Sequence, residues 1–189
     1  MCFKYIARSA LSLSMVISLA ACGTDLPSLP SSADTAYRLG AGDDIRVITF
    51  GEERLTAQYH VSDSGLIAVP LLGSVRAAGL TTEGLADRIS NGFKDKKLLR
   101  DPSVSVEVQA YRPIYVLGEV TRPGEYPYTP GMTVAQAAAK AGGFTYRAIT
   151  KAANVIRNQD RKSDPIEGSL PLNGLVQPGD VVNVEERLF

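Results

Sequence analysis

The chain carries no tryptophan, one histidine and two cysteines among its 189 residues, and each scarcity closes off a kind of chemistry. A lone histidine, His60, with no His-Glu-x-x-His or Cys-x-x-Cys spacing, supplies too few ligands for a metal site. It stands beside Tyr59 in a run that reads as a strand, where a surface position accounts for it. Charge of one sign is missing too: 20 Lys and Arg balance 20 Asp and Glu, so no basic field exists to draw nucleic acid. No apolar run reaches the roughly 20 residues a helix needs to cross a bilayer. The carboxylate pairs Asp43-Asp44 and Glu52-Glu53 are adjacent, and neighbours on a strand face opposite ways, so they read as turn and solvated-edge residues. Gly40, Gly42, Gly118, Gly124, Gly142 and Gly143 fall in neither phosphate-loop nor dinucleotide-fold spacing and read as turn and cap glycines. The expectation is a protein that is not an enzyme and holds no catalytic residue, cofactor or metal.

What is present begins with Lys4 and Arg8 ahead of an apolar stretch, Ala10 to Ala21, of twelve residues. This resembles a secretory signal, too short to span a membrane. Its end, Leu19-Ala20-Ala21-Cys22, resembles a bacterial lipobox, which implies residues 1–21 as a signal peptide and Cys22 as the lipidated residue. Cys2 would then leave with the signal, and no disulfide remains possible. Loss of Lys4 and Arg8 leaves 18 basic against 20 acidic residues, a formal charge of −2. Gly23 after the cysteine, by resemblance to other lipoproteins, points to the outer membrane. Thr24 to Thr35 is a Pro/Ser stretch without periodicity and reads as an unstructured tether, about 40 Å long if fully extended; residues 22–36 are assigned to it.

The stretch from Ile114 to Phe144 reads as one supersecondary unit. Ile114 to Val120 is β-branched and aromatic. Thr121-Arg122-Pro123-Gly124 follows as a type II turn, with Gly124 at the position demanding positive φ, and Glu125 to Tyr128 returns antiparallel. Thr133 and Gln136 form a capping box, Val134, Ala137, Ala138 and Ala141 share one helix face, and Gly142-Gly143 ends the helix. Further strands are expected over Ala153 to Arg157, Ile166 to Leu172 and Val181 to Glu185, with a polar loop from Asn158 to Asp164. Upstream, Asp44 to Phe50 and Ser103 to Gln109 read as strands, and Val61 to Pro70 as two more about a glycine turn. Thr81 or Thr82 caps a helix to about Phe93 with Leu85, Ile89 and Phe93 toward the sheet. Lys94 to Arg100 reads as a solvated helix end. The fold class is therefore α+β, in two small β-rich lobes at 37–110 and 111–189, with Arg112-Pro113 at the seam. Gly42-Asp43-Asp44-Ile45 and Gly179-Asp180-Val181-Val182 echo one another as similar turn chemistry.

Several of these words in order resemble a known family. YRLGAGDDIRV at Tyr37 to Val47 is similar to the opening of the polysaccharide export domain. YVLGEVTRPGEY, TVAQAAAKAGGF and QPGDVVNV resemble the soluble-ligand-binding β-grasp (SLBB) module of bacterial polysaccharide export proteins, of which the second lobe would be one. The resemblance implies a lipid-anchored component of a capsular or exopolysaccharide export machine at the periplasmic face of the outer membrane. It implies a homo-oligomeric ring, a polysaccharide passing through it, and an inner-membrane polysaccharide co-polymerase as partner. A different reading is a monomeric lipoprotein that binds a glycan or other soluble ligand and regulates envelope assembly. Tyr111, Tyr115, Tyr126 and Tyr128 are the candidate glycan contacts, since aromatic rings stack on sugars; core or hairpin packing is the competing account of each. Relatives that cross the outer membrane do so with an added C-terminal helix. With only four residues after Glu185, polymer exit is expected to need a separate outer-membrane protein or a partner subunit.

Overall fold

The computed structural model of the chain describes residues 27–29, 36–158 and 164–187. The signal sequence 1–21, Cys22 and residues 159–163 of the polar loop lie outside the described residues.

Chain order in the first lobe is β1 (Asp44–Thr49), a 3-10 turn (Glu53–Leu55), β2 (Ala57–His60), β3 (Leu66–Val69), β4 (Gly73–Arg76), α1 (Thr82–Asp95) and β5 (Val104–Ala110). β1 lies between β2 and β5, antiparallel to both, and β3 with β4 forms a separate hairpin. Alternation along β1 buries Ile45, Val47 and Thr49 and leaves Asp44 and Arg46 exposed, as a half-wet strand must. Thr81 caps α1, its hydroxyl accepting from the Gly84 N–H at 3.1 Å. Leu85, Ile89 and Phe93 are fully buried with Ile45, Val47 and Val106, each contributing on the order of 1.5–3 kcal/mol by leaving water. Lys96, past the helix, donates to the Leu71 and Leu72 carbonyls at 3.3 and 2.9 Å and so ties the helix end to the β3–β4 turn. His60 sits on the strand surface, its Nδ1 2.7 Å from Oδ1 of Asp44 on the neighbouring strand.

The second lobe contains β6 (Ile114–Gly118), β7 (Gly124–Tyr126), α2 (Val134–Lys140), β8 (Ala152–Arg157), β9 (Ile166–Pro171) and β10 (Val181–Val184). The strand order is β7-β6-β10-β8-β9, with β10 parallel to β6 and every other pair antiparallel. Two hairpins flanking the last strand, with a helix across one face, make this a β-grasp. The α2 capping box is formed: the Thr133 N–H donates to Gln136 Oε1 at 2.9 Å and the Gln136 N–H to Thr133 Oγ1 at 3.3 Å. Val134, Ala137, Ala138 and Ala141 are buried against the sheet, and Gly142 and Gly143 take φ of 84° and 86° at the helix end.

Three expectations need correction. β6 ends at Gly118 rather than Val120, because Gly118 turns the chain with φ of 80° and Val120 pairs instead with Phe144. Gly124 begins β7 without a left-handed φ, so the type II turn is not formed there. The expected tether is not free throughout. Ser28 forms a parallel bridge with Ser169 of β9, and Leu29, 8% exposed, belongs to the second-lobe core. Short segments between prolines show no periodicity, so pairing decided by a distant strand leaves little trace in the local pattern.

Candidate functional site

The two lobes meet at a polar joint made by two similar turns. In each, glycine takes a left-handed φ, 94° at Gly42 and 85° at Gly179, and the next residue is an aspartate with almost no exposure. Each aspartate folds back onto its own turn: Asp43 Oδ2 accepts from the Gly40 N–H and Asp180 Oδ2 from the Gln177 N–H, both at 2.7 Å. Short acidic side chains readily make such local bonds to nearby main-chain donors. Asp43 is thus no solvated-edge residue. It is 0% exposed and also accepts from the Tyr37 hydroxyl at 2.6 Å and the Arg112 N–H at 2.9 Å. Burial, then the bond to Asp43, raises the Tyr37 hydroxyl pKa well above the usual tyrosine value, so the phenol stays a donor.

Arg112 joins the turns. Its N–H serves Asp43, its Nε donates to the Pro178 carbonyl at 2.8 Å, and its guanidinium occupies the space where a side chain on Gly40 would lie. Asp180 is held by Arg157 through two parallel bonds, Nε to Oδ1 at 2.9 Å and Nη2 to Oδ2 at 2.8 Å. The sequence echo of Gly42-Asp43 with Gly179-Asp180 was the available signal for this joint. The local turn bonds left the burial of the aspartates unmarked, because the arginines that complete their surroundings, Arg112 for Asp43 and Arg157 for Asp180, come from 69 and 23 residues away.

The four candidate tyrosines do not share a surface. Tyr111 packs edge-on between Tyr37 and Tyr128, with ring centroids 5.0 and 5.5 Å away and interplanar angles of 74° and 72°. Burial raises the Tyr128 hydroxyl pKa, and that ring rests on the second-lobe core. Tyr126 also packs against this core, its hydroxyl donating to the Arg122 carbonyl. Tyr115 faces the other way, 40% exposed on the side of the sheet that α2 does not cover. Register sets Glu125, Tyr115, Val181, Ile156 and Glu167 in one row across the strands, and Leu117, Asn183, Asn154 and Ser169 in the next. Leu117 is 44% exposed, and Asn154 donates to Glu185 Oε1 at 2.6 Å. An aromatic ring and an aliphatic side chain beside amide and carboxylate groups can stack on a sugar ring while bonding to its hydroxyls. Among the described residues there is no cluster of three metal-ligating side chains and no helix long and apolar enough to cross a membrane.

Comparison with known proteins fits this architecture. Residues 31–109 match the family described as polysaccharide biosynthesis/export protein, and residues 113–168 match the SLBB domain. The exopolysaccharide production protein ExoF of Rhizobium meliloti (strain 1021) is 42% identical over 145 residues, covering 70% of this chain and 33% of ExoF. The EPS I polysaccharide export outer membrane protein EpsA of Ralstonia nicotianae is 34% identical over 172 residues, covering 86% of this chain and 44% of EpsA. EpsA of Ralstonia solanacearum is 28% identical over 185 residues, 81% of this chain and 48% of that protein. The chain therefore spans less than half the length of these relatives. With the two domains following one another in this order, each resting on its own lobe and core, the chain belongs to the polysaccharide export family.

Proposed function

We propose that the protein is a lipid-anchored component of a capsular or exopolysaccharide export machine, acting as an oligomeric conduit or scaffold without catalysis. Its units are an export domain at 37–110 and an SLBB domain at 111–189, held to the periplasmic face of the outer membrane through Cys22. The observation that carries this reading is the joint at Asp43, Arg112 and Pro178, which ties the two family domains to one another by hydrogen bonds. A polymer conduit needs walls that keep their shape while contacts to the cargo stay weak and repeated. The uncovered sheet face with Tyr115 and Leu117 offers such contacts, or a surface for a neighbouring subunit. The names of the relatives, an exopolysaccharide production protein and polysaccharide export outer membrane proteins, support a part in producing or exporting polysaccharide.

A deletion strain should still synthesise polymer but lose it from the cell surface, and the wild-type chain should restore it. Normal surface polymer in that strain, with no second copy of the gene, overturns the export role. The open sheet face also favours a monomeric glycan-binding lipoprotein. Size separates the two: detergent-extracted oligomer runs at many times the 20.2 kDa chain, whereas a monomeric binder does not.

A further inference from the structure

β9 is the last strand of its sheet, and an edge strand leaves a row of N–H and C=O groups open to pairing. Here the row is partly filled from far upstream in the chain. The Ser169 N–H donates to the Pro27 carbonyl at 3.0 Å and the Leu29 N–H donates to the Ser169 carbonyl at 3.1 Å, while the Leu29 side chain enters the core. The floor beneath is Gly168, where a Cβ would come within 2.6 Å of the Pro27 oxygen and 2.7 Å of Leu29 Cγ. Gly168 does not take a left-handed φ, so its backbone does not demand glycine; the space above it does. The arm is fitted to this seat as well. Leu29 precedes Pro30, which biases it toward extended backbone, and Pro27 and Pro30, lacking N–H groups, confine the donors to Ser28 and Leu29.

We infer that the β9 edge with its Gly168 floor is a strand-accepting groove for an extended, leucine-bearing segment, occupied in cis by Pro27–Leu29. Its role is to moor the amino-terminal arm to the second lobe. Resting on the proposed lipid at Cys22, this has a consequence for orientation. Were the arm free up to Tyr37, fifteen residues would separate lipid from protein, a reach of about 50 Å; moored at Pro27, five residues remain, about 18 Å. The second lobe, with β9 nearest the lipid, then faces the membrane, even though the first lobe comes earlier in the chain. The recognition mode is addition of a strand to a sheet edge, with main-chain bonds for affinity and one side-chain pocket for selectivity.

The mooring is tested in a Cys2→Ser, Cys22→Ser chain carrying Ser28→Cys and Ser169→Cys, the two residues that face one another across the parallel bridge. Oxidation should give an internally cross-linked monomer on a non-reducing gel. Leu29→Asp should cut the cross-link yield several-fold and Gly168→Val should do the same, each with a far-ultraviolet circular dichroism spectrum like the parent's to show that the lobe still folds. Failure of the parent pair to cross-link overturns the seat, and a cross-linked dimer shows a second copy's arm in it and overturns mooring in cis. Orientation is tested with lipidated protein in phosphatidylethanolamine and phosphatidylglycerol vesicles bearing an acceptor dye on the headgroup. A donor at Glu167→Cys should transfer more efficiently than one at Asp87→Cys on α1, and Leu29→Asp should narrow the difference. Equal or reversed efficiencies overturn the orientation. If the chain that keeps Cys22 does not float with vesicles while the Cys22→Ser chain cross-links internally, the lipid reading and its orientation fall and the mooring stands.

Discussion

Replacing Asp43 tests whether the joint between the lobes carries the weight its geometry implies. Its carboxylate is 0% exposed and receives three donors, the Tyr37 hydroxyl at 2.6 Å, the Gly40 N–H at 2.7 Å and the Arg112 N–H at 2.9 Å. Hydrogen bonds to a charged group contribute about 1.5–3 kcal/mol each, and a buried donor left unpaired costs about 1–3 kcal/mol. Tyr37 and Arg112 are only partly buried and recover some bonding from water, whereas the Gly40 bond is buried. Asp43→Ala should therefore cost about 3–5 kcal/mol, a large share of the roughly 5–15 kcal/mol by which a domain is stable. Asp43→Asn keeps the volume but turns an NH2 group toward one of the N–H donors, and should recover less than half of that loss. Urea unfolding followed by far-ultraviolet circular dichroism measures both, the midpoint falling at nearly constant slope. Amide exchange at Gly40 and Arg112 localises the effect, since both N–H groups lose their acceptor. A loss below about 1 kcal/mol in Asp43→Ala, or unchanged protection of both amides, would refute the reasoning.

Asp180→Ala strands the buried Arg157 guanidinium and should cost about 3–5 kcal/mol in the same urea titration, whereas Asp180→Leu with Arg157→Met should be markedly less damaging. Gly118→Ala should lower stability by at least about 2 kcal/mol, because φ is 80° and the new Cβ would fall 2.1 Å from the Val184 carbonyl oxygen. Gly124→Ala, with open space and no left-handed φ, should stay within about 0.5 kcal/mol; thermal melts of the two variants decide, and equal losses would count against the geometry. The raised Tyr37 pKa means that the folded state holds its phenolic proton more tightly than the unfolded chain. That stabilisation is complete below the unfolded tyrosine value of about 10 and is lost as pH rises beyond it. Tyr37→Phe should therefore show a shallower fall in melting temperature between about pH 10 and 11 than the parent does.

Signals confined to a few neighbouring residues were readable in the sequence. The Thr133–Gln136 box and the Leu85, Ile89, Phe93 stripe are i, i+3 and i, i+4 relations, and the structure returns them with little change. Strand alternation around Val47 survived for the same reason. Asp43 was not legible as buried, because its environment is assembled from Tyr37, Gly40 and Arg112, the last of these 69 residues away. Gly124 after proline carried a turn signal, yet β6 had already turned at Gly118, where the Val184 carbonyl leaves no room for a side chain. The tyrosines illustrate the same limit. Composition suggested a stacking surface, but Tyr111 and Tyr128 go to the joint, Tyr126 to the core and Tyr115 to the open face.

The place of β10 in its sheet governs when the second lobe can form. It lies between β6 and β8, so each hairpin reaches the other only through Val181–Val184. A chain made from its amino end can close β6 on β7 and β8 on β9 early, but these remain two separate ribbons until residue 184 has emerged. Two-stranded ribbons alone are marginal in water, and the pairing that unites them joins residues 66 positions apart, as Val181 does with Tyr115. Closure over so long a loop is slow. The lobe thus stays open throughout its synthesis and gains its shape in one late step, when Val181–Val184 joins the two ribbons.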